Sequence, residues 1–388
     1  MQDSKREFIK QLGLFSTAGM LATMPSSRGQ EIHAVTQNST LFNVKNFGAK
    51  GDGKSPDSAA IQKALDAAGK VQGTVYFPSG NYRCHDLKVH SHTTVLAEPQ
   101  WSYSVDAGAV LVIDSEDADC VLDITNGCGC RIRGIFLRGN RKASKIQHGI
   151  FQNNHTWNVY ENTPAMDEVS VNTFSGNGVY LKKIKMFMIR HSIFQDNGGH
   201  GVSIQEGGDG LVIDNQFRGN GKCGFATDIF GTTVLFTANS VEKNGEYGIY
   251  LTGNSNHQAS AWNVTSNLFD RNGGASIFAH NISDSAFTGN AFLRSGRNAA
   301  NLVEGAAESC HILMQSCKGI SVTGSTGMAD RDDDGGGALT PNFALRLNDN
   351  VRCVFTANTF SEGYCKDMVL KNGNRDVSII NNIGTPKI

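Results

Sequence analysis

Residues 177–205 read "NGVYLKKIKMFMIRHSIFQDNGGHGVSIQ" and contain one pattern twice: a glycine, Gly178 and then Gly201, followed by an apolar alternation. The pattern returns at Gly224 and Gly248, so successive glycines are 23, 23 and 24 residues apart. Asn-Gly pairs and Asn-x-Phe/Val triplets recur in phase with these glycines. Three features in phase at one period indicate an internal structural repeat.

The repeat unit is short, rich in β-branched and aromatic residues, and has no room for a helix. Each unit therefore holds two or three short strands, separated by turns in which Asn and Gly supply positive φ. One unit cannot bury its apolar face, but stacked units form a continuous core. Leucine-rich repeats have a similar period but need Leu at most core positions, which these units lack. The pattern predicts a parallel β-helix in residues 84–388, with roughly a dozen coils.

Residues 41–83 depart from the repeat and predict a capping segment. Ser55-Pro56 offers a helix start, because proline suits the first helical position. An apolar helical face follows and Gly69 ends it; the face consists of Ala60, Ile61, Ala64, Leu65 and Ala68. A solenoid needs its first coil covered, since an open end exposes core and unpaired strand edges. We therefore expect this helix to cap the solenoid.

Composition excludes several classes of protein. Charged residues make up 18% of the 388 residues and the net charge is -1, so no global field favours nucleic acid or a membrane surface. No apolar run reaches the ~20 residues of a membrane-spanning helix. The nine cysteines are odd in number and irregularly spaced, which argues against a disulfide framework. We expect them to be small buried residues.

The N-terminus has the layout of an export signal. Residues 4–22, "SKREFIKQLGLFSTAGMLA", combine a basic start, a modest apolar stretch and small residues. The segment resembles a twin-arginine signal in which Lys5-Arg6 replaces the arginine pair. The alternative is an N-terminal helix of the fold. We predict an export signal in residues 1–30 and a periplasmic or extracellular protein.

Two blocks of sequence resemble known families. "FGAKGDGKSPDSAAIQKALDAA" (47–68) with "GTVYFPSGNYR" (73–83) is very similar to the N-terminal block of the pectate-lyase superfamily. "LRGNRKASKIQHGIF" (137–151) and the repeat coils extend the resemblance to the catalytic module of mannuronan C5-epimerases, over most of residues 41–255. The resemblance implies an all-β, single-stranded, right-handed parallel β-helix with an N-terminal capping helix.

The epimerase resemblance breaks where its catalytic motif is expected. Those enzymes carry Asp-Pro-His on the strand after the repeat glycine, whereas this chain has Tyr180 and Lys182 in place of the Asp and the His. In the epimerases a lysine near the position of Lys145 belongs to the active site. The resemblance therefore implies a polar pair on the same surface while placing epimerase activity in question.

Alternation along each strand predicts which side chains share a face. Val179, Val202, Phe225 and Ile249 point into the core. The residues one and three positions after each of these core residues form two outward columns. The residue before each repeat glycine forms a third column at the rim. Successive coils lie ~4.8 Å apart, so these columns form one surface. The predicted catalytic residues are Lys182, Tyr180, His200, Asp228, Lys145 and His148; the predicted substrate-binding residues are Gln205, Glu206, Tyr247, Tyr250 and Asn177.

This combination favours β-elimination of a uronate-containing polysaccharide. A cation or donor must neutralise the C6 carboxylate, a base must take the C5 proton, and an acid must protonate the leaving oxygen. Lys145 and Lys182 would bind the carboxylate or act as the base. Tyr180, His148 or His200 would be the acid. Exposed tyrosines are expected to hold the sugar rings.

Four alternatives stay open. A glycoside hydrolase or a fructan-type transglycosylase would use a carboxylate pair, for which Asp228 and Glu206 on adjacent coils are the candidates. "GHGVSI" (199–204) matches the polygalacturonase histidine motif, but the companion aspartate motifs are missing. C5-epimerisation shares the proton abstraction. A non-catalytic glycan-binding β-helix is the fourth.

No cofactor is predicted. "DRDDDGGG" (330–337) lacks the spacing and the terminal Glu of a Ca²⁺ loop, so Ca²⁺ has no motif behind it. The expected partner is a polysaccharide or oligosaccharide, with no nucleic acid and no membrane span. A homo-oligomer, including a trimer, stays open.

Overall fold

The computed structural model describes residues 40–102, 105–153, 163–227, 231–254, 259–360 and 369–384. The predicted export signal and Asp228 lie outside these residues. In chain order the elements are β1 (Leu41–Asn43), a 3-10 helix (Val44–Phe47), β2 (Asp52–Pro56), α1 (Ser58–Gly69), β3 (Thr74–Phe77), β4 (Gly80–Arg83), β5 (Leu87–Lys88), β6 (Thr94–Ala97), β7 (Ala109–Val112), β8 (Cys120–Asp123), β9 (Arg131–Arg133), β10 (Phe136–Arg138), β11 (His148–Gln152), β12 (Ala165–Asp167), β13 (Ser170–Asn172), β14 (Val179–Lys185), β15 (Met188–Arg190), β16 (Ile193–Gln195), β17 (Val202–Ile213), β18 (Gln216–Arg218), β19 (Phe225–Thr227), β20 (Gly231–Thr237), β21 (Ser240–Glu242), β22 (Ile249–Thr252), β23 (Ala259–Thr265), β24 (Leu268–Asp270), β25 (Ile277–His280), β26 (Ile282–Thr288), β27 (Ala291–Leu293), two 3-10 helices (Ala299–Asn301 and Ala306–Glu308), β28 (Cys310–Gln315), β29 (Lys318–Thr323), β30 (Thr326–Met328), β31 (Phe343–Asn348), β32 (Val354–Thr356), β33 (Thr359–Phe360), β34 (Val369–Asn372) and β35 (Ser378–Ile380).

The strands stack in parallel, each against its counterpart one coil away, on three faces. The first face carries β11, the start of β14, the start of β17, β19, β22, β25, β28 and β31. The second face is continuous with it through a corner at which Lys183 and Glu206 adopt left-handed φ of 58° and 55°. The third face is a separate 12-stranded sheet from β2 to β33. The protein is an all-β, right-handed parallel β-helix, as the sequence predicts.

A single α-helix, α1, caps the start of the solenoid within the part of the chain that the structure describes. Four of the five predicted face residues, Ile61, Ala64, Leu65 and Ala68, are buried, and the fifth, Ala60, is half-buried against the core. The capping helix is confirmed. It begins at Ser58 rather than at Pro56, because Pro56 closes the edge strand β2, where a missing N–H is tolerated. No helix in the described residues has the length and apolar character needed to cross a bilayer.

Stacked asparagines tie the coils together. Nδ2 of Asn197 donates to Oδ1 of Asn220 at 3.0 Å, and Asn220 donates in the same way to Asn244 at 2.9 Å. A second ladder joins Asn215 to Asn239 at 3.0 Å. All of these side chains are buried, so each amide satisfies groups that would otherwise lack a partner. The Asn periodicity of the sequence is therefore a hydrogen-bonding device between coils.

The predicted alternation holds along the first face. Val179, Val202, Phe225 and Ile249 are fully buried in the solenoid core. Register places Tyr180 opposite Ser203, and Lys182 opposite Gln205. The first outward column comprises Phe151, Tyr180, Ser203, Ala226, Tyr250, Phe278, Leu313 and Arg346.

Candidate functional site

The rim column is built from side chains that accept hydrogen bonds from the next coil. The backbone N–H of Asn177 donates to Nδ1 of His148 at 3.0 Å, and the N–H of His200 donates to Oδ1 of Asn177 at 2.9 Å. The N–H of Cys223 in turn donates to Nδ1 of His200 at 3.2 Å. Each imidazole thus performs between coils the same task as the asparagine amide.

These contacts fix the tautomer of both histidines. Because Nδ1 accepts, the neutral ring carries its proton on Nε2. Burial lowers the pKa of His148 to about 4, so this ring is neutral at neutral pH. His200 is 8% exposed. In its neutral form each ring offers an N–H donor at Nε2 and has no second lone pair for a substrate proton.

Three rings stack beside this column. The His148 ring lies 5.6 Å from Phe151 and 5.2 Å from Tyr180, nearly parallel to both. The hydroxyl of Tyr180 donates to Oε1 of Gln205 at 2.9 Å, which fixes the tyrosine across the outward columns. Phe151 is absent from the sequence-based set of site residues. The sequence does contain a signal for Phe151: it is the fourth residue of "HGIF" (148–151), the coil before that of Tyr180, and it occupies the same column as Tyr180.

Two adjoining clefts lie on this face. The first encloses about 480 Å³ and is lined by His148, Phe151, Tyr180 and Gln205 among others. The second encloses about 320 Å³; its lining consists of His200, Lys222, Cys223, Glu246 and Tyr250. His200 and Lys222 line both clefts, so the two form one groove along the solenoid axis.

The three lysines near the groove differ in setting. Lys222, which sequence reasoning missed, is exposed and lines both clefts. Lys145 lines neither cleft and instead pairs with Asp119, whose Oδ1 lies 2.9 Å from the lysine Nζ. This hydrogen bond raises the pKa of Lys145. Lys182 is half-buried, two positions after Tyr180 on the same side of β14, and lines neither cleft.

Residues 41–275 match the sequence profile of the family described as "Rhamnogalacturonase A/epimerase, pectate lyase-like". The chain belongs to this family. Membership confirms the pectate-lyase superfamily resemblance of residues 47–83 and agrees with the stacked parallel coils.

Curated relatives of this family member include alginate lyase 7 of Azotobacter vinelandii, 29% identical over 217 residues, which make up 55% of this chain and 24% of that protein. Mannuronan C5-epimerase AlgE4 of the same organism is 28% identical over 208 residues, 50% of this chain and 36% of that protein. The chain thus spans about a quarter to a third of the length of these relatives. The solved structure of the AlgE4 A-module shares the fold, with a TM-score of 0.69 at 18% identity. The superposed region covers 89% of this chain and 96% of the A-module.

Tyr247 does not form the solvent-facing platform that the sequence predicts. It is 4% exposed and stacks on Phe278 with ring centroids 4.9 Å apart. Burial raises its pKa well above the ordinary value. The reason is a second apolar cluster outside the solenoid core, which encloses Tyr247 together with Ala275 and Phe278. Of the two tyrosines, Tyr250 is the one that lines the groove.

Of the predicted carboxylate pair, the structure describes only Glu206. Glu206 is half-buried at the corner between the first and second faces, and Asp228 lies outside the described residues. The carboxylate that lines the second cleft is that of Glu246, whose Oε2 is 3.7 Å from Sγ of Cys223. Glu246 is not among the site residues that the sequence predicts.

Potential metal ligands are dispersed among the described residues. Across the described ranges, 40–102 through 369–384 with their gaps, no three His, Cys, Asp or Glu side chains converge as a metal site would require. The eight cysteines within these ranges are not paired with one another in disulfides, and seven of them are buried. Burial raises the pKa of Cys130 to about 12, which suits an inert packing residue.

Proposed function

We propose that the protein is a carbohydrate-active enzyme that cleaves a uronate-containing polysaccharide by β-elimination. The observation that carries the proposal is that one groove collects the Tyr180 hydroxyl, the Nε2–H donors of His148 and His200, and the Lys222 ammonium. Such a set of donors with a cation suits a substrate that bears carboxylates. Its relatives, named as an alginate lyase and mannuronan C5-epimerases, support the same substrate class.

Residues of the groove, together with Lys182 of the same face, can be assigned to the steps of an elimination. Lys222 and the two imidazole donors bind the C6 carboxylate, which makes the C5 proton more acidic. Lys182, which follows Tyr180 on the same side of β14 at the edge of the groove, is assigned as the base that takes that proton, and the Tyr180 hydroxyl protonates the leaving oxygen. The C5–H electron pair becomes the C4=C5 double bond as the C4–O bond breaks.

The remaining predicted residues have supporting roles in this proposal. Gln205 holds the Tyr180 hydroxyl, and Asn177 spaces the two histidines along the rim. Tyr250 provides a ring for a sugar at the far end of the groove. Lys145 fits the base role poorly, because Asp119 neutralises it and its raised pKa keeps it protonated.

C5-epimerisation is the second candidate, favoured by the similarity to mannuronan C5-epimerases over 208 residues. It needs the same C5 proton abstraction, followed by protonation from the opposite face of the carbanion. It breaks no glycosidic bond. The change of Asp and His to Tyr180 and Lys182 is our reason to rank it below the lyase.

A reaction in D₂O separates these activities. Alginate, polygalacturonate and glycosaminoglycans are incubated with the protein, and absorbance of the unsaturated uronate, reducing ends and C5 deuterium are followed. A lyase gives absorbance and new ends in equal amounts. An epimerase gives C5 deuterium in uncut polymer. New ends without absorbance would contradict both and indicate a hydrolase, and retained binding without any product would indicate a glycan-binding β-helix.

Export through residues 1–30 belongs to the same proposal, because polymeric glycans of this kind are met outside the cytoplasm. Fractionation of the producing cells tests it. Recovery of activity in the cytoplasmic fraction, with residues 1–30 still attached, would contradict export.

A further inference from the structure

The first outward column changes character along the solenoid axis. Phe151, Tyr180 and Tyr250 are half-buried and line the groove. The next two members, Phe278 and Leu313, are 5% and 0% exposed. Both point away from the solenoid core, so another part of the chain must cover them.

The cover is the segment 296–309, which we call the strap. It leaves the solenoid after β27, contains two 3-10 helices, and returns at β28. At the rim its Leu302 joins the apolar cluster of Tyr247 and Phe278. A Cβ on Gly274 would lie 2.8 Å from both Leu302 and Tyr247, so the three are in close contact.

Polar contacts fix the strap on both sides of the face. On the rim side, the N–H of Ala275 donates to Oε1 of Glu304 at 2.8 Å. On the side of the first column, Nη1 of Arg346 donates to the backbone oxygen of Glu304 at 3.0 Å, and Nη2 lies 2.7 Å from Oε2 of Glu308. Because Ala275 and Arg346 belong to different columns, the strap crosses the face above Phe278 and Leu313.

The opposite end of the column has a different surface. Upstream of Phe151 the register continues through Asp123 to Lys88, which are half-buried and exposed. The stretch of the column that begins and ends at the groove residues Phe151 and Tyr250 covers four coil spacings, about 19 Å at ~4.8 Å per coil, with the small buried residues Ser203 and Ala226 between them. The groove thus meets a wall after Tyr250.

We propose that the strap is the closed end of the substrate groove, so that the enzyme acts on its polysaccharide from one chain end. This inference rests on the proposed function, since it assumes a polysaccharide that lies along the groove. The terminal sugar stacks on Tyr250, and the rest of the polysaccharide leaves past Phe151. A polysaccharide that carries a bulky group at that terminus therefore cannot occupy the groove.

The test is a binding titration with size-fractionated oligosaccharides of alginate, polygalacturonate and glycosaminoglycans, each of which carries streptavidin, through biotin, at the reducing end, the non-reducing end, both or neither. We expect a block at one particular end to weaken binding by at least about tenfold, and the block at the other end to have no effect. Equal binding of all four probes would overturn the inference. Absence of binding by every probe, the unblocked one included, would instead overturn the proposed substrate class, and with it this inference.

Two variants probe the wall itself. Combined Leu302→Gly and Glu304→Gly substitution removes the apolar and polar anchors of the strap, and we expect it to restore binding of the blocked chain. Val303→Ser is the matched control, because Val303 lies in the same strap but is 68% exposed, and it should behave as the wild type. If the double variant does not fold, the end-block comparison on the wild type still decides the question.

Discussion

The backbone N–H of Cys223 donates to Nδ1 of His200 across 3.2 Å, one coil further along the solenoid. Asn177 accepts from the N–H of His200 in the same way at 2.9 Å. A histidine in this column therefore has two functions at once. Its Nδ1 joins coils, and its Nε2–H is the donor that we propose acts in the groove that His200 lines.

His200→Asn separates these two functions. Asparagine is the native residue at the equivalent position one coil earlier, and its Oδ1 can accept the Cys223 N–H. We expect stability close to that of the wild type. The Nδ2 donor of asparagine lies on a shorter side chain than the Nε2–H of histidine, so we expect the hydrogen bond to the reacting carboxylate to be lost and kcat/KM to fall by about 10²-fold or more. Denaturant unfolding and the absorbance assay measure the two quantities.

His200→Ala is the matched comparison. It removes the acceptor as well, so the buried Cys223 N–H loses its partner at a cost of about 1–3 kcal/mol in the free energy of unfolding. Equal stability of the two variants would contradict the coil-joining function. Full activity of His200→Asn would remove Nε2–H from the mechanism.

Lys222 and Lys145 provide a paired test of charge. Lys222→Gln removes the cation that lines both clefts. A hydrogen bond to a charged group contributes about 1.5–3 kcal/mol, so its loss should lower kcat/KM roughly 10- to 150-fold. Lys145→Gln removes a lysine already paired with Asp119, so its kcat/KM should stay within about twofold of the wild type. Steady-state kinetics on the responsive polymer decide, and a larger loss with Lys145→Gln would reverse our assignment.

His148 predicts a pH dependence of stability. Burial lowers its pKa from 6.5 to about 4. Between these pH values the unfolded chain binds a proton that the folded chain does not. The contribution of His148 to the free energy of unfolding is therefore fully present above pH 6.5 and is lost as the pH falls toward 4. The slope is at most about 1.4 kcal/mol per pH unit. His148→Asn keeps an acceptor for the Asn177 N–H and should flatten the unfolding free energy between about pH 4 and 6.5; an unchanged slope would refute the assignment.

The sequence predicts the fold and the columns because the repeat leaves little freedom. Once Gly178, Gly201 and Gly224 are in phase, alternation decides that Val179 is buried and that Tyr180 and Lys182 share a face. Parallel coils in register then bring Lys182 beside Gln205. These are local and periodic rules, and periodic rules can be deduced from one chain.

The errors arise where one segment interrupts the period. Tyr247 is correctly placed in the rim column, but the strap and Phe278 bury it, and the strap is an insertion between β27 and β28 whose return path no periodicity specifies. The pairing of Lys145 with Asp119 likewise depends on a contact between coils. Lys222 was missed because it lies one position before the rim column, outside the aligned pattern.

Glu304 makes the docking of the strap sensitive to pH. Its side chain is 2% exposed, and burial raises its pKa from 4.5 to about 7. Arg346 favours the ionised form but is also paired with Glu308, and Tyr247 and Cys310 are the other titratable side chains close to it. Docking is therefore most stable below pH 4.5 and weakens as the pH rises through about 7.

Hydrogen exchange of the strap amides, corrected for intrinsic rates, measures this effect at about pH 5 and about pH 8. Wild-type protection should decrease at the higher pH. Glu304→Gln keeps the acceptor for the Ala275 N–H without a charge, so its protection should be equal at both values. Glu308→Gln is the control, because that carboxylate is 45% exposed and should leave the pH dependence in place. If Glu304→Gln still loses protection at the higher pH, a different group governs the docking of the strap.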